Sequence, residues 1–383
     1  MIASKRLFVP GLVLAIAALQ CAICVGQKGE GATPATRNQK TTAAADSTAP
    51  LAEITADGYK LVWHDEFNKD GPLNSDDWAF EQGFIRNQEL QWYQPENAVC
   101  KDGFLVIEAR KEAKPNPRYV PPGASGGESR PAVSLSNGPA LSLSKGARGW
   151  QNRPTIEVTS ASVTTRGKHS WQYGRFEIRA KIDTRAGSWP AFWMMGTQGR
   201  WPACGEVDIM EYFGNTVLAN VAWEGKPGGA PAPNGATWNT ARMPLKSPAE
   251  NRQPQRGEQP QGGQSPFPHR ASEKGTVPDG SRMLPANWAD QFHVWRMDWD
   301  EKSIKLFLDD KQVNEQDLSK TINTSRGRGA LENPFVGGPM YLILNQAIGG
   351  QAGGDPSHTE FPVRFLVDYM RVWQKVDAGS DKR

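Results

Sequence analysis

The chain has 383 residues, 38% of them hydrophobic, and a formal net charge of +3. That is enough apolar content for one large core, and the mild, dispersed charge gives little support to a nucleic-acid partner. Fourteen Trp, 39 Gly and 29 Pro fit a turn-rich protein with aromatic surface to spare, and the five His show no metal-ligand spacing, which argues against a zinc hydrolase.

Residues 1–26 read as an export signal, with Lys5 and Arg6 ahead of an apolar run from Leu7 to about Val25. The run approaches the length of a membrane span, so a retained anchor is the competing reading. Residues 27–54 are rich in Ala, Thr and Gly and bury too little apolar surface to offset their ordering entropy, which makes them a flexible tether. The folded domain is expected over 55–376, with a short tail at 377–383. This layout implies a secreted, periplasmic or cell-surface protein, and with no exposed apolar repeat the expected state is a monomer. Cys100 and Cys204 are the two cysteines beyond the leader; a bridge between them and two buried thiols both remain open.

Short β-rich segments then recur between turn residues: Lys60–Phe67, Phe104–Arg110, Ser160–Thr165, Gly174–Ile182, Phe292–Trp299, Ile304–Leu308, Met340–Ala347 and Arg364–Trp373. No long helical period appears, so the pattern predicts an all-β, two-sheet antiparallel sandwich. In the clearest strand Phe176, Ile178, Ala180 and Ile182 alternate with Arg175, Glu177, Arg179 and Lys181, one face packing and the other polar. Two stretches, about 113–153 and 225–286, are poor in apolar residues and read as low-complexity insertions at loop positions.

The stretch that promises chemistry is Gly205-Glu206-Val207-Asp208-Ile209-Met210-Glu211-Tyr212-Phe213. Strict alternation places Glu206 and Asp208 on one face and Glu211 on the other. A β-bulge at about Ile209 or Met210 would return Glu211 to the face of Glu206, and bulges concentrate beside active sites. Two carboxyls would then face one cleft with a third between them. Cleavage of a glycosidic bond with retention needs such a pair, roughly 5 to 5.5 Å apart, as nucleophile and acid/base.

Around this strand stand Trp189-Pro190-Ala191-Phe192-Trp193, Tyr173-Gly174-Arg175-Phe176-Glu177-Ile178-Arg179 and Asn87-Gln88-Glu89-Leu90-Gln91-Trp92-Tyr93. In this order they resemble glycoside hydrolase family 16, the laminarinase and mixed-linkage β-glucanase group, over about Tyr59 to Lys375. The resemblance implies a jelly roll with Glu206 as nucleophile, Asp208 as its helper and Glu211 as general acid/base, and a cycle without metal or organic cofactor. It also implies a structural calcium ion away from the cleft, with Glu66, Gly103 and Asp368 as its ligands.

Trp189 and Trp193, four residues apart, share a strand face and are candidates for the floor on which a sugar ring stacks, although Trp193 equally suits the core. Asn87, Glu89, Arg175, Glu177 and Arg179 match polar cleft positions of the family. Where many laminarinases have a His on the strand after the catalytic one this chain has Ala222-Trp223-Glu224, and it has Gln346 where an apolar residue is usual; Trp223 and Gln346 are read as cleft-lining departures that bear on substrate. The expected substrate is a polysaccharide, a β-1,3- or mixed β-1,3-1,4-glucan. Algal galactans, and a carbohydrate-binding protein of the same fold that does not cleave, are the alternatives; intact Glu206 and Glu211 favour the enzyme.

Overall fold

The computed structural model describes residues 54–121, 148–225, 235–246, 283–324 and 329–376. The leader, nearly all of the tether, the tail and most of both expected insertions lie outside the described residues. In chain order the first strands are β1 (Tyr59–Asp65), β2 (Ala79–Phe80), β3 (Gln91–Tyr93), β4 (Ala98–Lys101), β5 (Phe104–Pro115) and β6 (Thr155–Ser160). Then come β7 (Ser162–Thr164), β8 (Gly174–Lys181), β9 (Ser188–Gly196), β10 (Glu206–Phe213), β11 (Thr216–Trp223) and β12 (Thr237–Pro244). The last are β13 (His293–Trp299), β14 (Ser303–Leu308), β15 (Lys311–Asp317), β16 (Met340–Ile348) and β17 (Val363–Lys375).

These strands form two sheets. The seven-stranded sheet runs β12-β11-β10-β9-β16-β7-β2. The larger one runs β15-β14-β13-β8-β17-β5-β6-β3, with β1 added beside β17 and β4 beside β5. Every pairing is antiparallel except β3 with β6. The core lies between the sheets, where Phe176, Ile178, Trp295, Leu306 and Phe365 of one meet Phe192, Met194, Val207, Val217 and Leu342 of the other. Alternation explains both faces: the odd-numbered residues of β8 that flank Phe176 and Ile178 are partly exposed, as the sequence pattern requires.

All eight predicted strands are present, and each expected insertion is ordered at its ends. β12 lies inside the stretch 225–286 that was expected to be structureless. Its Thr, Asn and Arg residues mask it in the sequence, because an edge strand turns only Ala241 and Met243 toward the core. At the two ends of the other insertion, Asn116 Nδ2 donates to the Arg153 carbonyl at 2.7 Å, and Trp150 packs edge-on against Phe84. Cys100 and Cys204 are separate, buried thiols, whose protonated form burial favours. Among the described residues no helix is long and apolar enough to cross a membrane.

Two glycines fix the approach to β10. Gly205 enters it at φ +78°, and a Cβ there would meet Phe335 and Pro334 at 2.9 Å. Gly196, the last residue of β9, donates to the Gly205 carbonyl at 3.2 Å, and a Cβ on it would overlap the Cys204 carbonyl oxygen. Backbone cannot move aside as a side-chain tip can. Gly196→Ala is therefore expected to cost about 2–4 kcal/mol, read as a lower urea midpoint at unchanged m-value.

Candidate active site

The register around β10 contains the anticipated irregularity. Glu206 faces Ala222 and Asp208 faces Asn220 on β11, but Glu211 faces Leu218, one residue out of step. On the other side Asp208 faces Trp193 of β9 while Met210, rather than Ile209, faces Phe192. β10 thus carries one extra residue, a bulge at Ile209. Ile209 and Met210 consequently both enter the core with no exposed surface, and Glu211 returns to the outer face that holds Glu206 and Asp208.

Neighbouring side chains fix the three carboxyls. Trp201, on the loop before β10, donates its indole N–H to Glu206 Oε2 at 2.6 Å. Trp189 does the same for Glu211 Oε1 at 2.8 Å. Asn220 stands opposite the bulge and its amide donates to Asp208 Oδ2 at 2.9 Å and to Glu211 Oε2 at 3.1 Å. That one amide spans the bulge and sets the spacing of two acids.

Burial is the largest influence on all three and disfavours the charged form of each. It pushes Glu206 up to about 7, helped by the charge of Glu211 and opposed by the Trp201 N–H, by Asp208 and by Arg86. Asp208 is raised well above the usual carboxylate range, by burial and then by the charge of Glu206. Glu211 rises to about 8, with the charge of Asp208 adding to burial and the bonds from Trp189 and Asn220 opposing it. Three adjacent carboxylates are not ionised together at neutral pH. The arrangement that satisfies the bonds has Asp208 protonated and donating to an ionised Glu206, while Glu211 keeps its own proton. An anion and an acid then share one surface, the pairing that a double displacement at an acetal carbon needs.

The other candidate residues divide sharply. Trp189 and Trp193 do share the outer face with the acids, but they are only 8% and 7% exposed. Trp193 donates to Asn345 Oδ1 at 2.8 Å and lies beneath the Arg86 guanidinium, 5.1 Å from its ring centroid, so its face is covered. Asn87 is exposed, whereas Glu89 is buried, accepts 2.7 Å and 3.3 Å bonds from Gln91 and Asn87, and is raised by that burial to about 7.

Four candidate sugar contacts are corrected outright. Arg175, Glu177 and Arg179 lie on β8 in the opposite sheet and face away from the core, hence away from the acids. There Arg175 pairs with Asp298 and Asp57, and Glu177 accepts from Tyr369. Trp223 is a core residue between the sheets. Gln346 is a fifth correction, since it is wholly buried and donates to Ser188 Oγ and the Ala347 carbonyl. Strand parity decides both of these last cases: Ala222 and Asn345, one residue away, take the outer face.

Residues that sequence reasoning did not single out complete the site. Trp201, Asn220, Asn345 and Arg86 reach it through the order of strands and through loops, and none sits in a motif of its own. Only Asn220 had a findable signal, since a tight β10–β11 hairpin puts it across from Asp208.

The calcium set does not come together as a cation site. Glu66 is held by Arg371 through two 2.8 Å bonds, and buried Asp368 accepts from Arg179 at 2.6 Å. Both carboxylates already carry a guanidinium counter-charge, and among the described residues no group of three or more His, Cys, Asp or Glu could hold a metal. Gly103, at φ +79°, follows β4 in the turn that leads into β5. The side chains present do not fit the ion.

A family model described as glycosyl hydrolases family 16 matches residues 127–240. A beta-glucanase of Rhodothermus marinus is 30% identical over 334 residues, covering 83% of this chain and 86% of its own. Among solved structures, the laminarinase catalytic domain of Thermotoga maritima MSB8 is 27% identical with a TM-score of 0.54, over 84% of this chain and 100% of that one. A structure reported with endo-acting O-glycanases of the human gut microbiota is 29% identical with a TM-score of 0.60, over 84% and 93%.

The raised carboxyl of Glu211 has a consequence for stability. Between the ordinary Glu value near 4.3 and about 8 the folded chain holds a proton that the unfolded chain releases, so this group's contribution falls as pH rises across that window. Glu211→Gln keeps the neutral shape at every pH. Its melting temperature should match the parent near pH 4 and exceed it progressively toward pH 8, by the equivalent of a few kcal/mol in order of magnitude.

Proposed function

Because this chain belongs to glycosyl hydrolase family 16 and is a glycoside hydrolase acting on β-glucans, we propose that it is a retaining endo-glucanase for β-1,3 or mixed β-1,3-1,4 linkages. The observation that carries this reading is the bulge at Ile209, which sets Glu211 beside Glu206 on one face. In this proposal Glu206 attacks the anomeric carbon as its carboxylate. Glu211 gives its proton to the departing glycosidic oxygen, so the leaving sugar departs neutral. A glycosyl ester on Glu206 results. Glu211, now ionised, takes a proton from water, which attacks the same carbon from the opposite side to the ester, and the second inversion restores the starting anomer.

Asp208 keeps its own proton and holds the negative charge on Glu206 by donating a hydrogen bond to it. When the ester forms, that charge is gone and the hydrogen bond weakens. Asn220 and Trp189 then support the new charge on Glu211. The cycle calls on no metal or organic cofactor. The choice of a β-glucan leans on the relative named for it, the beta-glucanase described above. The export reading of residues 1–26 belongs to this proposal too, and placement outside the cytoplasm would bring the enzyme to polymeric substrate.

The test is release of new reducing ends from laminarin, lichenan, barley glucan, curdlan, agarose and carrageenan, with product anomers followed by NMR. Cleavage of laminarin or lichenan with the β-anomer appearing first is expected; α-product first, or cleavage only of the galactans, would refute the reading. Glu211→Gln should lower kcat on the order of 10²–10⁴-fold and Glu206→Gln at least as much, with melting behaviour showing an intact fold. The pH dependence of kcat/KM should be a bell. Its acid limb falls as Glu206 takes a proton below about 7, and its basic limb falls as Glu211 loses one above about 8.

A further inference from the structure

The two tryptophans of the Trp-Pro-Ala-Phe-Trp run offer little ring face to a ligand: one supports Glu211 and packs against Phe213, the other lies under Arg86. One indole on the same face of the same sheet is free. Trp238 is 37% exposed, and it is the one exposed tryptophan among the described residues. Its register position is specific. Trp238 on β12 faces Ala222 on β11, and Ala222 faces Glu206 on β10. Residues directly opposite one another across antiparallel strands share a face, so the exposed indole and the acid lie in one row. Two strand spacings separate their backbones, about 9–10 Å.

The surroundings suit a sugar. The Trp201 ring, whose N–H is bound to Glu206, lies 6.5 Å from the Trp238 ring at 50°, so an aromatic surface continues from the acid to the exposed indole. Two and four residues along β12, Thr240 and Arg242 take the same face, because Ala241 and Met243 between and beyond them pack toward the core. Arg242 faces Leu218, which faces Glu211, and its positive charge is felt there. It has no hydrogen-bond or ion-pair partner among the described residues. An apolar plane flanked by a hydroxyl and a free guanidinium is the mixture that a pyranose requires: C–H groups for the ring face, donors for the hydroxyls at its edge.

We propose that Trp238 is a sugar-stacking platform on the β11–β12 side of the site, with Arg242 beside it as a hydroxyl donor. The platform holds a glucosyl residue next to, rather than at, the bond being cut. This inference rests on the glucan-hydrolase reading and adds a subsite to it. Its physical role is to lengthen the stretch of polymer held in place, so its effect is on binding long chains. An isolated exposed indole is otherwise unremarkable on a protein surface; its place in the row of Glu206 distinguishes it.

The test separates the platform from the chemistry by measuring binding without turnover. Laminarihexaose is titrated calorimetrically into E211Q and into E211Q carrying W238A, W238F or R242A. W238A should weaken binding at least about tenfold, W238F should recover part of the loss because a ring remains, and R242A should weaken it several-fold. In the active parent, W238A should raise KM on laminarin about tenfold with kcat changed less than threefold, a split that a loss of fold would not produce. The melting temperature should be unchanged, since the ring lies at the surface. Hexaose affinity and laminarin KM within twofold of the parents would overturn the proposal, whatever the hydrolysis panel reports.

Discussion

The structure depends on one residue too many in one strand. Ile209 and Met210 are consecutive, yet both side chains are fully enclosed between the sheets, where a regular strand would have turned one of them outward. Burying each contributes roughly 1.5–3 kcal/mol, and sliding β10 back into register would forfeit one of those burials and drive Glu211 toward the apolar interior. The core therefore enforces the bulge. The partner strands accept it because the shift falls between Asp208 and Glu211 on both sides, leaving regular pairing before and after it.

From that kink the electrostatics follow. Once Glu211 has returned to the outer face, three carboxyls crowd a surface that solvent reaches poorly, and ionising all of them is prohibitive. The protein resolves the crowding with neutral donors rather than counter-ions: two indole N–H groups and one amide touch the acids directly, while Arg86 acts on Glu206 from over the Trp193 ring. Neutral donors favour a carboxylate without pinning it as an ion pair would. That keeps Glu211 an acid strong enough to give a proton and weak enough to hold one. The arrangement opposes folding at high pH, which is the usual relation between a reactive site and the stability of its scaffold.

The opposite sheet shows how differently the same residue types behave without that crowding. Glu66 with Arg371, Asp368 with Arg179 and Arg175 with Asp298 form ion pairs on the far side of the sandwich. Each of these carboxylates has a guanidinium beside it, and the pairs tie β8 to β13 and to β17. Arg175 and Glu177 serve this framework. The likeness of Arg175 and Glu177 to cleft residues came from their place in the sequence, on the last strand before the chain crosses to the other sheet for four strands.

Local chemistry in the chain was sufficient for much of this. Alternating apolar residues specified the strands and the two-sheet sandwich, because burial on one face imposes a period of two. The spacing of Glu206, Asp208 and Glu211 demanded a bulge, because only a slip in that period lets all three do work together. What the chain could not reveal by itself was which strands become neighbours. Asn220, Trp201, Arg86 and Trp238 meet the acids across strand pairs and loops, and the edge strand β12 that bears Trp238 is too polar to announce itself. Nor could parity alone say which of two adjacent residues, Ala222 or Trp223, Asn345 or Gln346, would face the acids. That choice belongs to the packing of one sheet against the other, since a strand's two faces become inside and outside only when a second sheet covers one of them.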